Sequence, residues 1–82
     1  MTVPEPPADV LRLEELRKQM GVSPRETWVA YFSLGGDCEE GVVSGWFAGN
    51  GAPSDRDYNL LAQAVNDLAV ERGGDHPATY RE

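Results

Sequence analysis

The sequence predicts an all-α fold, a compact four-helix domain, on three observations. Apolar residues recur at three- and four-residue spacing in four separate stretches. Residues suited to helix starts open those stretches, and glycines close them. No stretch alternates apolar and polar residues as a strand would; Gly41-Val42-Val43-Ser44 is too short and lies within a helical pattern. A length of 82 residues fits one domain and excludes a two-domain enzyme with a cleft between halves. With 40% apolar residues the core is small, so each helix must contribute a face to it.

Residues 1–8 hold three prolines and are expected to form an extended, flexible tail. Asp9 is placed to cap a first helix over Val10–Met20, with Leu13, Leu16 and Met20 on one face and Gly21 as its stop. Ser23-Pro24-Arg25-Glu26 combines a capping hydroxyl, a proline at the first helical position and a glutamate three residues after the cap. It opens a second helix, Pro24–Leu34, that presents Trp28, Tyr31 and Phe32 and ends at Gly35-Gly36. Asp37-Cys38-Glu39-Glu40 repeats the capping spacing and opens a third helix through Ala48, with Val42, Val43, Trp46 and Phe47 on its apolar stripe. Gly49-Asn50-Gly51 ends it. Pro53-Ser54, with Asp57 three residues after the serine, starts the fourth, where Tyr58, Leu61, Ala62, Val65, Leu68 and Ala69 keep one face until Gly73-Gly74. The domain therefore spans 9–73, and residues 74–82 read as a flexible polar tail.

Charge narrows the partners. Fourteen acidic against seven basic side chains leave a net charge of −7, and acids outnumber bases in each third of the chain. Gripping nucleic acid by its phosphates requires clustered Lys or Arg. The only dense basic spot is Arg12, Arg17 and Lys18, diluted by Glu14 and Glu15. Contact with phosphates or an anionic membrane would start from repulsion. No apolar run approaches the roughly 18–20 residues a membrane span needs. The N-terminal residues lack the basic and apolar regions of a secretory signal, so a cytoplasmic location is expected. A single cysteine, Cys38, can make no internal disulfide. Six of the seven bases are arginine, which hints at a GC-rich bacterial genome.

The stretch Val43-Ser44-Gly45-Trp46-Phe47-Ala48-Gly49-Asn50-Gly51-Ala52-Pro53-Ser54 resembles the region following the recognition helix in the repressor/Cro-type (lambda-repressor-like) helix-turn-helix family. Tyr58, Leu61-Ala62 and Ala64-Val65 match that family's apolar positions in the next helix, and Leu16-Arg17-Lys18-Gln19-Met20-Gly21-Val22-Ser23 looks like the end of its first helix and the cap of its second. The resemblance covers about Leu13 to Leu68 and implies a helix-turn-helix-like architecture. Two departures stand out. The turn holding Gly35-Gly36-Asp37 is about one residue longer than the family's, and the base-reading positions hold Asp37, Cys38, Glu39, Glu40 and Gly41. DNA-reading members usually place Arg, Gln, Ser or Thr there, because those side chains reach base edges. Three carboxylates would face phosphates instead. The resemblance thus implies a degenerate, acidic recognition helix.

Asp37, Glu39 and Glu40 have an ordinary account as a cap and a first turn favoured by the helix dipole. They are also protein-interaction candidates for a basic partner. Adjacent bulky residues point about 100° apart on a helix, so Tyr31-Phe32 and Trp46-Phe47 can each bring one aromatic to the surface; Tyr31 and Phe47 join the interaction candidates. Cys38 has no second cysteine beside it, and His76, the only histidine, falls in the expected tail. No calcium loop, metal-ligand spacing or nucleophile-base pair is present, so no metal, no cofactor and no enzymatic activity are expected. The sequence thus points to a small non-enzymatic regulatory or adaptor protein of bacterial transcription control. It would contact a basic protein, such as a DNA-binding regulator or a transcription-machinery subunit, with a homodimer left open. The alternative is a repressor/Cro-type DNA-binding regulator acting as a dimer. In it Arg12, Arg17, Lys18 and Arg25 would contact phosphates, with Ser44 and Asn50 near the backbone.

Overall fold

The computed structural model describes residues 5–82, so residues 1–4 of the expected N-terminal tail lie outside it. Four helices follow in order: α1 (Ala8–Met20), α2 (Pro24–Ser33), α3 (Glu40–Phe47) and α4 (Asp55–Glu71). α4 is the longest and packs against both α1 and α2, while α3 closes the space between those two. Its apolar stripe supplies much of the core: Tyr58, Leu61, Ala62, Ala64 and Val65 are all buried. Val10, Leu13 and Leu16 from α1, Tyr31 from α2, and Val43 and Trp46 from α3 meet it. Among the described residues no helix is long and apolar enough to cross a membrane.

Local chemistry decides two of the four starts. Ser23 caps α2, its Oγ accepting from the Glu26 N–H at 3.1 Å. Ser54 does the same for α4 with the Asp57 N–H, also at 3.1 Å. Each such cap contributes about 1 kcal/mol. α2 stops one residue before its expected end, with Leu34 as its C-cap.

The other two starts differ from expectation. α1 begins at Ala8, with Pro7 rather than Asp9 at the cap position and no side-chain cap bond. Asp9 sits inside the first turn, where its carboxylate meets Arg81 at 2.7 Å. α3 begins at Glu40, three residues after Asp37, with Glu39 at the cap position and no side-chain cap bond. Asp37 turns to Arg56 instead, at 3.4 Å. In both places an aspartate with cap-like spacing found an arginine from elsewhere in the fold. The Arg81–Asp9 bond is short and charge-assisted, whereas the Arg56–Asp37 pair is longer and exposed.

The expected C-terminal polar tail is the largest correction. Residues 75–82 lie extended along α4 and reach back to α1. Ala78 is buried, Tyr58 Oη donates to the Thr79 carbonyl at 2.7 Å, and Arg81 bridges Asp9 and Asp55. Polar residues with no periodicity still dock when their backbone groups are satisfied by side chains.

This docking has a pH signature. The hydrogen bond from Arg81, reinforced by its charge, holds the Asp9 carboxyl below its ordinary value. A depressed folded-state pKa gives stability that is complete above about pH 5 and fades as pH falls through the depressed value. Thermal melts between pH 5 and 2 should show this loss. Asp9→Asn should lower stability at pH 5 and flatten the acid-side decline. An unchanged decline in the variant would mean that other carboxylates carry it.

Candidate functional site

The six residues joining α2 to α3, Leu34–Glu39, are held against the N-terminus of α4 by a polar network. Tyr31 leaves the buried face of α2, and its hydroxyl donates to Asp57 Oδ1 at 2.8 Å while accepting from the Cys38 N–H at 3.2 Å. Ser54 Oγ and Cys38 Sγ both donate to Asp57 Oδ2, at 3.0 and 3.7 Å. Trp28 Nε1 donates to the Cys38 carbonyl at 3.0 Å. Arg56 covers the outer side, with Nη2 donating to the Gly35 carbonyl at 2.8 Å and Nη1 lying 3.4 Å from Asp37 and 3.5 Å from Asp57. Burial, followed by the neighbouring Cys38 and Asp57, pushes the Tyr31 phenol well above its usual pKa. That favours the neutral hydroxyl as donor to Asp57.

Donor atoms of Asp37, Cys38 and Asp57 lie within 4.8 Å of one another, a spacing a metal ion could use. Each carboxylate is already engaged, Asp37 by Arg56, and Asp57 by Tyr31, Ser54 and Arg56. A cation there would compete with the Arg56 guanidinium for both carboxylates. The arrangement orders the connection between α2 and α3.

The interaction candidates separate. Tyr31 is fully buried, which corrects its assignment to a contact surface: its ring fills the core because its hydroxyl has partners there. Asp37 lies in the connection with 76% of its side chain exposed, facing α4. Glu40 faces α2, 3.7 Å from Arg25, and Glu39 is exposed between them. The three acids therefore do not make one helical face, because only Glu40 is helical. Cys38 is accordingly not a first-turn helix residue. Phe47 is half-buried, beside a shallow pocket of about 210 Å³ shared with Glu14, Pro24, Ser44 and Ala48.

Of the DNA-contact candidates, Arg17 alone is withdrawn into the domain. Arg17 is buried, its Nε donating to Glu14 at 2.9 Å and its Nη1 to the Val22 carbonyl at 2.8 Å, which corrects its assignment to phosphate contact. Arg12 lies 3.5 Å from Glu15, Lys18 3.9 Å from Glu14, and Arg25 3.7 Å from Glu40. Ser44 and Asn50 are exposed.

A second feature was not anticipated. An open groove of about 540 Å³ runs between α2 and α4. Val29, Ala30, Leu34 and Leu68 line its apolar part, and Arg25, Glu26, Asp67 and Glu71 its charged edge. Val29 is 48% exposed, and Phe32 on the same helix is 56% exposed. The signal was present in the sequence. Trp28, Val29, Ala30, Tyr31 and Phe32 are consecutive apolar residues that surround the helix, so a helix buried on one side must leave some of them in water. Comparison of the chain with protein-family models, with characterised proteins and with solved structures finds no match.

Proposed function

We propose that this chain is a small, non-enzymatic regulatory or adaptor protein of helix-turn-helix-like architecture that acts by protein contact, in bacterial transcription control. The groove between α2 and α4 carries this reading. It offers an unfilled apolar strip, Val29, Ala30, Leu34 and Leu68, beside Glu26, Asp67 and Glu71. Glu26 lies 3.4 Å from Arg72 and the bordering Arg25 lies 3.7 Å from Glu40, which leaves Asp67 and Glu71 to carry the acidic edge. The fitting occupant is an amphipathic segment with basic residues flanking its apolar face, on a basic DNA-binding regulator or transcription-machinery subunit. A net charge of −7 would steer such a partner toward the domain. The DNA-binding alternative has less support, since Arg17 is buried and the exposed cations Arg12, Lys18 and Arg25 sit among carboxylates on a domain of net charge −7.

The test compares wild-type protein with Val29→Arg and with the double variant Glu39→Lys/Glu40→Lys. Val29 is half-exposed, so arginine there adds charge to the groove without entering the core. A protein captured from source cells and then purified should bind wild type and lose at least tenfold in affinity for Val29→Arg, with helicity unchanged. Loss of affinity only in the glutamate double variant would move the docking surface to the start of α3. Tight, sequence-selective, salt-sensitive binding of wild type to duplex DNA in gel shifts would overturn the proposal in favour of the DNA-binding reading.

A further inference from the structure

Among the described residues, the segment 75–82 makes no backbone-to-backbone hydrogen bond. Side chains of α4 hold its backbone instead, and they do so in a repeated manner. Asn66 accepts from the Ala78 N–H at 2.8 Å and donates to the Ala78 carbonyl at 3.1 Å. Asn59 accepts from the Arg81 N–H at 2.7 Å and donates to the Arg81 carbonyl at 3.1 Å. Each amide thus satisfies both backbone groups of one residue, whatever side chain that residue carries. Seven helical residues rise about 10.5 Å, and three extended residues span about 10 Å. The two spacings match, so asparagines seven apart on α4 meet every third residue of an extended chain running antiparallel to it.

Side-chain pockets add selectivity at those same two positions. Ala78 is 5% exposed, leaving little space beyond a methyl group. The Arg81 guanidinium lies 2.7 Å from Asp9, 3.2 Å from Asp55 and 4.4 Å from the centre of the Tyr58 ring. This combination of ion pairs and cation-π contact suits arginine specifically. The segment leaves α4 through Gly73-Gly74, where Gly73 has φ +78°. Departure from the groove would therefore break no helical hydrogen bond.

We propose that this face of α4, with the start of α1, is a receptor groove for an extended segment of another protein that carries a small apolar residue and, three positions later, an arginine. The chain's own 75–82 segment is its displaceable intramolecular occupant. The groove is separate from the one between α2 and α4, and the proposal does not depend on it. Tethering places the resident segment at an effective concentration in the millimolar range, so it autoinhibits the groove until a competing segment arrives or the Arg81 contacts weaken.

The probe is a fluorescent octapeptide with the sequence of residues 75–82, added to full-length protein carrying Arg81→Glu. Glutamate there is repelled by Asp9 and Asp55, which releases the resident segment. The peptide should bind this variant at least tenfold more tightly than wild type, read by anisotropy. Versions of the peptide with Ala78→Trp or with Arg81→Glu should not bind. If the full-length variant loses helicity, the unmodified peptide should restore its circular dichroism signal. A folded variant that ignores the peptide, an unfolded one that the peptide does not restore, or equal binding of all three peptides would overturn the proposal. So would wild-type protein sedimenting as a micromolar dimer that Arg81→Glu dissociates, because the groove would then serve exchange of segments between two copies.

Discussion

Gly36→Ala should lower the unfolding free energy by about 3 kcal/mol or more, a large part of what a domain of this size possesses. A Cβ at Gly36 would overlap the Tyr31 ring at Cζ, Cε1 and Cε2. That ring cannot swing aside. It is fully buried, and its hydroxyl is tethered to Asp57 and to the Cys38 N–H. Nor can the connection readily move outward, since Trp28 holds the Cys38 carbonyl and Arg56 the Gly35 carbonyl. The matched control is Gly41→Ala in the first turn of α3, where a Cβ meets nothing within 4 Å. Alanine there should be neutral or stabilising by up to about 1 kcal/mol, because it restricts the unfolded chain and favours helix. Urea unfolding of the two variants provides the comparison. Equal stabilities would show that Tyr31 does not pack beneath Gly36.

Asp57→Ala is the second large effect, expected to cost about 2–4 kcal/mol in the same measurement. The carboxylate is 8% exposed and accepts from Tyr31, Ser54 and Cys38. Its removal leaves a buried phenol without its acceptor, a penalty larger than the net worth of the bond itself. Asp57→Asn should cost roughly half as much, because one amide oxygen remains as an acceptor. Tyr31→Phe removes the opposite partner, leaving the Cys38 N–H unmatched, and should fall between the two. A loss under about 1 kcal/mol for Asp57→Ala would mean that water replaces the carboxylate and that the α2–α3 connection is ordered by other contacts.

α2 and α4 were legible in the sequence because their starts are local. Ser23 and Ser54 reach N–H groups three residues away, and no distant residue competes for them. Asp9 and Asp37 have the same kind of spacing but were claimed by Arg81 and Arg56, which are 72 and 19 residues distant. Arg17 illustrates the same limit. It reads as a surface cation, yet Glu14 and the Val22 carbonyl neutralise and bury it. The exposed part of α2 was detectable in its run of apolar residues. The groove beside it was not, because a groove needs a second wall, and α4 supplies that wall through Asp67, Leu68 and Glu71.

The sequence alone determined the all-helical class, the number of helices, the stops between them and the acidic character of the surface. These follow from periodicity, capping and composition, all of which act over a few residues or not at all on position. Only the tertiary structure decided where α1 and α3 begin, that Tyr31 is interior, and that residues 75–82 lie along α4. Each of those outcomes is a long-range polar pairing, Asp9 with Arg81, Asp37 with Arg56, Tyr31 with Asp57, Asn66 with Ala78. A hydrogen bond or ion pair depends on angstrom distances between groups far apart in the chain, and residue order carries no measure of those distances until the helices have packed.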